Sequence, residues 1–216
     1  MNKSSILEAI KKAREASSKK KFNQTFDLIL NLKELNLKNP EQKLDIFVTL
    51  PKGLGKKRKL CALVDNALYT EAKDTFDKTI LKSDFPNISQ KDAKKLAQDY
   101  DYFIAQANIM PDIAKSFGKI LGVRGKMPNP KSGAIVPPKA TLKPIYEKFQ
   151  KIIRLITKTD LTVKCAVGRE DMEDDDVAEN ILAVYNAAVH ALPQESANVK
   201  KVLLKLTMGA PVGVGN

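Results

Sequence analysis

Residues 51–64 read Pro-Lys-Gly-Leu-Gly-Lys-Lys-Arg-Lys-Leu-Cys-Ala-Leu-Val, and this stretch separates two kinds of sequence. Its first part combines a Pro, two Gly and the unbroken run Lys56-Lys57-Arg58-Lys59, which cannot pack in a core. Its last part, Leu60 to Val64, is a continuous apolar run, the pattern of a strand buried on both faces. Upstream the period is two. Phe26, Leu28, Leu30 and Leu32 alternate, as do Leu44, Ile46 and Val48. These predict strands over 25–35 and 44–50, with Asn39-Pro40 as the break between them. Further upstream, Ile6, Leu7, Ile10 and Ala13 have helical spacing over 4–17, with Ser4 or Ser5 as the N-cap.

Downstream of the divide the pattern changes. Helical spacing over 66–76 is followed by a strand at 79–81, a helix at 89–98 capped by Ser89, a strand at 102–105 and a helix from Pro111 to Ile120. That order is the signature of a small parallel α/β unit. A loop-rich region, 118–138, precedes a helix over 141–151 with Thr141 as cap. Extended segments at 152–157 and 161–167, a helix over 174–191 and a strand over 199–206 close the chain. The acidic run Glu170 to Asp176 sits where negative charge favours a helix start. The two chain ends thus read helix-strand-strand and strand-helix-strand. The expected fold combines α+β and α/β classes in two domains. Residues 1–58 and 157–216 form an α+β domain I, and residues 59–156 form an inserted three-layer α/β (Rossmann-like) domain II.

The 216 residues carry 37 Lys plus Arg against 25 Asp plus Glu, a net charge of +12. A hydrophobic fraction of 43% excludes a disordered basic tail, and two Cys exclude a disulfide scaffold. The charge is uneven: +9 over residues 1–60, +6 over 61–156 and −3 over 157–216. An anionic partner follows, nucleic acid first and a membrane surface second. Lys11, Lys12 and Arg14 follow Ile10 directly, leaving no apolar signal segment, and no apolar run is long enough to span a bilayer. The first helix could lie on a membrane surface; the competing reading packs it on its own domain.

Catalytic chemistry finds little footing. His190 is the sole His and falls late in a helix, where it suits the C-terminal dipole. Cys61 and Cys165 stand in apolar strands and read as core residues, with no metal-ligand spacing around them. Gly55-Lys56 and Gly125-Lys126 both lack the hydroxyl residue of a phosphate loop, and Gly53-Leu54-Gly55 lacks the third Gly of a dinucleotide fingerprint. No catalytic residue, metal or cofactor is expected. The alternative is an α/β enzyme or binding protein for a phosphorylated ligand, with Gly122 to Lys131 as an anion loop.

RNA binding remains. Lysines give affinity without choice, and selection needs apolar surface and approachable backbone. The alternation assigns Phe26 to the core. Thr207-Met208-Gly209 suits a 2′-hydroxyl, an apolar tip and a close backbone approach, or else is an ordinary strand end.

Three motifs resemble one family. Leu206-Thr207-Met208-Gly209-Ala210-Pro211-Val212, Gly118-Lys119-Ile120-Leu121-Gly122-Val123-Arg124-Gly125-Lys126-Met127-Pro128-Asn129-Pro130-Lys131, and Leu50-Pro51-Lys52-Gly53-Leu54-Gly55-Lys56 occur in the order seen in the universal stalk proteins, the first-numbered proteins of the large ribosomal subunit. The short N-terminus and Phe103-Ile104-Ala105-Gln106-Ala107 resemble the archaeal branch. The Pro-Asn-Pro-Lys-Ser-Gly loop resembles the bacterial form, and Ala210 stands where the family usually has Pro.

The resemblance implies a non-enzymatic constituent of the cytoplasmic ribosome, monomeric when free. It would bind large-subunit rRNA to form the mobile stalk beside the transfer-RNA exit site. It would also contact exit-site tRNA and repress its own mRNA. The resemblance further implies that Thr25, Phe26 and Asp27, with Thr207, Met208 and Gly209, make the main RNA contact, moving Phe26 from core to contact. It sets Lys158, Lys164 and Lys201 near that surface, and Lys126, Asn129 and Lys131 as secondary contacts in domain II.

Overall fold

The computed structural model describes residues 1–39 and 42–215, so Pro40 of the expected break lies outside the described residues. In chain order the regular elements are α1 (Lys3–Glu15), β1 (Thr25–Leu32), β2 (Asp45–Thr49), β3 (Leu60–Val64), α2 (Tyr69–Thr75), β4 (Lys78–Leu81), α3 (Gln90–Asp99), β5 (Tyr102–Gln106), α4 (Met110–Val123), β6 (Ile135–Val136), α5 (Leu142–Lys151), β7 (Ile152–Ile156), β8 (Thr162–Arg169), α6 (Asp174–His190), β9 (Val199–Leu206) and β10 (Val212–Gly213). They fall into two compact units, Met1–Lys56 with Lys151–Asn216, and Lys57–Gln150.

The crossings between units lie at 56/57 and 150/151, against the expected 58/59 and 156/157. The second difference has a direct cause. Residues 152–156 pair antiparallel with β2, from Asp45↔Ile156 to Thr49↔Ile152, so the chain has already returned to the first unit. No break marks that point, because α5 runs straight into β7.

The first unit is built on the antiparallel sheet β10-β9-β1-β8, with β2-β7 as a separate ladder. Strand side chains alternate between faces. On β1 the even residues Phe26, Leu28, Leu30 and Leu32 are buried and the odd ones are not. They join Val163, Val167, Leu204 and Leu206 in a core roofed by Ile6, Ala9, Ile10 and Ala13 of α1 and by Val177, Ala178, Ile181 and Val184 of α6. The apolar stripe of α1 therefore serves its own unit rather than a membrane surface. Its cap position is Asn2, not Ser4 or Ser5, and Ser5 instead donates its hydroxyl to the Asn2 carbonyl.

The second unit holds the parallel sheet β4-β3-β5-β6. All five residues of β3 are buried, as a strand covered on both faces requires. One face packs Cys61, Leu63, Phe103 and Ala105 on α3 and α4 through Ala93, Ala97, Ile113 and Phe117. On the other side α2 and α5 meet through the Phe76–Tyr146 ring pair, and Phe149 of α5 packs edge-on to Tyr102. Ser89 caps α3 as expected, its hydroxyl accepting the Asp92 N–H. The two-residue strand β6 is an addition to the expected set. It lies in the Gly- and Pro-rich region, too short to carry a period.

The first crossing segment is anchored by one buried amide. Asn180 of α6 donates to the Gly53 and Val167 carbonyls at 2.7 and 2.8 Å and accepts the Lys52 N–H at 3.1 Å. Replacing it leaves three backbone groups unsatisfied beside a buried helix face. Asn180→Leu should lower the unfolding free energy of the protein by about 2–4 kcal/mol. Urea titration against the unchanged chain checks this.

Candidate nucleic-acid interface

Because α1 and α6 cover one face of the sheet, the odd residues of β1 reach the other. The register sets Asp27 opposite Lys205 and Ala166, Ile29 opposite Leu203 and Lys164, and Asn31 opposite Lys201 and Thr162. This face carries Lys164, Lys201 and Lys205 against a single acid, Asp27. Partial burial raises the Asp27 carboxyl above the ordinary carboxylate value, with Lys205 pulling it back. Lys164, Lys201 and Lys158, the last in the turn between β7 and β8, are exposed and form no ion pair among the described residues.

The remaining residues of the expected contact collect at one end of the sheet. Thr25 lies beside Thr207, whose hydroxyl accepts the Thr25 N–H at 3.1 Å and lies 3.3 Å from the Thr25 carbonyl. Met208 follows with its side chain 63% exposed. Gly209 closes the turn, donating to the Leu206 carbonyl. A Cβ on Gly209 would lie 3.2 Å from that of Ser17, just past α1, so a side chain here would press on that residue. Lys158 and Lys201 are not at this end. Lys201 is six residues along β9 from Thr207, about 20 Å at strand spacing. The expected contacts share one face but not one spot.

Phe26 corrects the implied assignment. Its ring is fully buried, with the Arg14 guanidinium 5.1 Å above it, so it cannot stack on a base without opening the core. The available aromatic is Phe22, 53% exposed and missed in the sequence. Only Phe22, Met208 and Val123 are large exposed hydrophobics among the described residues, and two of the three adjoin this end. Phe22 lines a concavity of about 550 Å³ with Lys19, Lys20, Lys21 and Asn23, together with the acidic Glu170 and Asp171. The signal was an aromatic directly after a lysine run, where no core period explains it.

In the second unit two of the three secondary residues have structural duties. Lys126 donates its ammonium to the Tyr100 carbonyl at 2.7 Å, and burial lowers its pKa. The Asn129 side chain accepts the Lys131 N–H and caps a short 3-10 turn. Lys131 alone remains exposed there. With Lys126 and Asn129 occupied internally, the loop 122–131 offers no converging set of donors, which counts against an anion loop.

The acidic start of α6 is neutralised within the first unit. Asp174, Asp175 and Asp176 at the start of α6 pair with Arg14, Lys3 and Lys52 at 2.8, 2.7 and 3.1 Å. Burial pushes the thiols of Cys61 and Cys165 up to about 12, which keeps both protonated and inert.

A model of the ribosomal protein L1p/L10e family matches residues 11–210. The large ribosomal subunit protein uL1 of Nanoarchaeum equitans is 41% identical over 212 residues, covering 96% of this chain and 98% of its own. Its counterpart in Methanothermococcus thermolithotrophicus is 38% identical, covering 99% of each chain. The one from Pyrococcus abyssi is 38% identical over 97% of this chain and 94% of its own.

Two outcomes follow from this geometry. Asp27→Asn should stabilise the protein at pH 7 and progressively less toward pH 4. A carboxyl raised by folding loses stability as pH climbs through its folded value, and the amide does not. Denaturant unfolding at the two pH values measures it. Lys126→Ala should cost about 1 kcal/mol of stability through the lost Tyr100 bond, with calorimetry as the check.

Proposed function

Because the chain belongs to the ribosomal protein L1p/L10e family, we propose that it is a non-enzymatic component of the large ribosomal subunit that binds large-subunit rRNA through the open sheet face of its first unit. The observation that carries this reading is the pairing of exposed Met208 and Phe22 at one end of that face with unpaired lysines along it and beside it. The two apolar groups supply sequence-tolerant stacking and packing, and the lysines supply phosphate attraction. Thr25, Thr207 and Gly209 set the backbone that a ribose approaches. Phe26 supports them from below. Lys158, Lys164 and Lys201 carry the phosphate track toward the far end of the sheet, and Lys131 is the secondary contact in the second unit.

Three finer roles belong to the same proposal: formation of the mobile stalk beside the transfer-RNA exit site, contact with exit-site tRNA, and repression of the protein's own mRNA. Each uses the same chemistry, an RNA fold that offers a splayed base to Phe22 and Met208 and a phosphate run to the lysines.

Binding to a transcribed large-subunit rRNA fragment should weaken steadily with salt, and a scrambled fragment should bind far less. Phe22→Ala should weaken binding by about 5- to 100-fold and Met208→Ala by roughly tenfold, both with unchanged melting temperature. Lys164→Ala should lower the salt slope by about one unit. Phe26→Ala should instead unfold the first unit at lower denaturant, by about 3–5 kcal/mol. Wild-type affinity in both Phe22→Ala and Met208→Ala would sink the assignment.

A further inference from the structure

Gln24 is the last residue before β1 and is fully buried. A buried amide must have partners for its polar atoms. Gln24 draws them from three separate segments. Its Oε1 accepts the Met208 N–H at 3.1 Å, in the turn after β9. Its Nε2 donates to Ser17 Oγ at 3.0 Å, just past α1. Its backbone N–H donates to Glu170 Oε2 at 3.2 Å and its carbonyl accepts the Glu170 N–H at 2.9 Å, after β8.

The Met208 side chain is mostly solvent-exposed, so little packing fixes its direction. The backbone of the turn sets the point from which it leaves the protein. That backbone is held on one side by the Gly209 N–H to Leu206 carbonyl bond and on the other by Gln24. The bond from Gln24 is outside the sheet ladder: the pairing of Phe26 with Leu206 does not require it. It therefore adds aim to the turn rather than register to the strands.

We propose that Gln24 is a positioning residue for RNA recognition, holding the Met208 peptide so that the Met208 side chain meets RNA already oriented. This rests on the RNA-binding reading above. Pre-organisation of this kind strengthens binding by sparing the cost of ordering on contact. It touches the RNA through Met208 alone, so it should alter affinity without altering the number of phosphates engaged.

The test compares the unchanged chain with Gln24→Met, which keeps the volume and removes the acceptor. The control is Thr157→Val, which removes a buried hydroxyl that accepts the Leu44 N–H, away from this turn in the β2–β7 ladder region. Affinity for a transcribed large-subunit rRNA fragment is measured across salt, well below all melting temperatures, with amide exchange at Met208 followed by NMR. Gln24→Met should bind about tenfold more weakly with the same salt slope, and the Met208 amide should exchange faster. Thr157→Val should bind like the unchanged chain even where it melts earlier. Affinity within twofold of the unchanged chain in Gln24→Met overturns the positioning role alone, as does an equal loss in Thr157→Val. No salt-dependent binding by the unchanged chain overturns the RNA reading itself, and this role with it.

Discussion

Strand β1 is hydrogen-bonded along its length to β8 on one side and β9 on the other. That leaves its side chains two destinations only. Phe26, Leu28, Leu30 and Leu32 go to the face roofed by α1 and α6, and Thr25, Asp27, Ile29 and Asn31 go to the other. The helices cover one face of the sheet and no more. The uncovered face is consequently presented on a rigid platform, and the residues at its end are placed by the ladder rather than by loop flexibility. Recognition built on such a platform loses little entropy when RNA docks.

A second constraint is the sorting of charge. The chain is strongly basic, yet the start of α6 is strongly acidic. Lys3, Arg14 and Lys52 satisfy that acidic turn, and Arg14 also donates to the Glu170 and Met172 carbonyls at 2.7 and 3.1 Å. Arg14 is thereby committed within the protein, while Lys3 and Lys52 have their charge offset in surface pairs. The lysines of the sheet face and of the 19–21 run form no such pair among the described residues. The net charge alone attracts a polyanion, but the internal pairing decides which cations are left to meet it.

Much of the fold was legible from period alone. The alternation of β1, the unbroken apolar run of β3 and the Ser89 cap all translated directly, because each is a local pattern with a local cause. The return crossing did not, since the ladder between β2 and β7 joins residues more than a hundred positions apart and leaves no local mark. In the site, the resemblance named Thr25, Thr207, Met208 and Gly209 together, and the structure sets Thr25 and Thr207 side by side at one end of the sheet with Met208 and Gly209 following. The resemblance also implied Phe26 as a contact, and its ring is buried. Alternation alone had assigned Phe26 to the core, and that reading agrees with the buried ring. Phe22 lies outside both the helical spacing of 4–17 and the alternation that begins at Phe26, and Lys126 and Asn129 looked available because their partners, Tyr100 and the Lys131 amide, become visible only in three dimensions.

The sequence by itself determined the two unit types, the inserted order and the anionic class of partner, for these follow from hydrophobic period and summed charge. The tertiary structure alone decided which polar groups are free. A lysine or an asparagine has the same sequence signature whether its bonds go to solvent or to a neighbour. Only the folded arrangement shows that Gln24, Lys126 and Arg14 are engaged within the protein while Phe22, Met208 and the sheet lysines face outward.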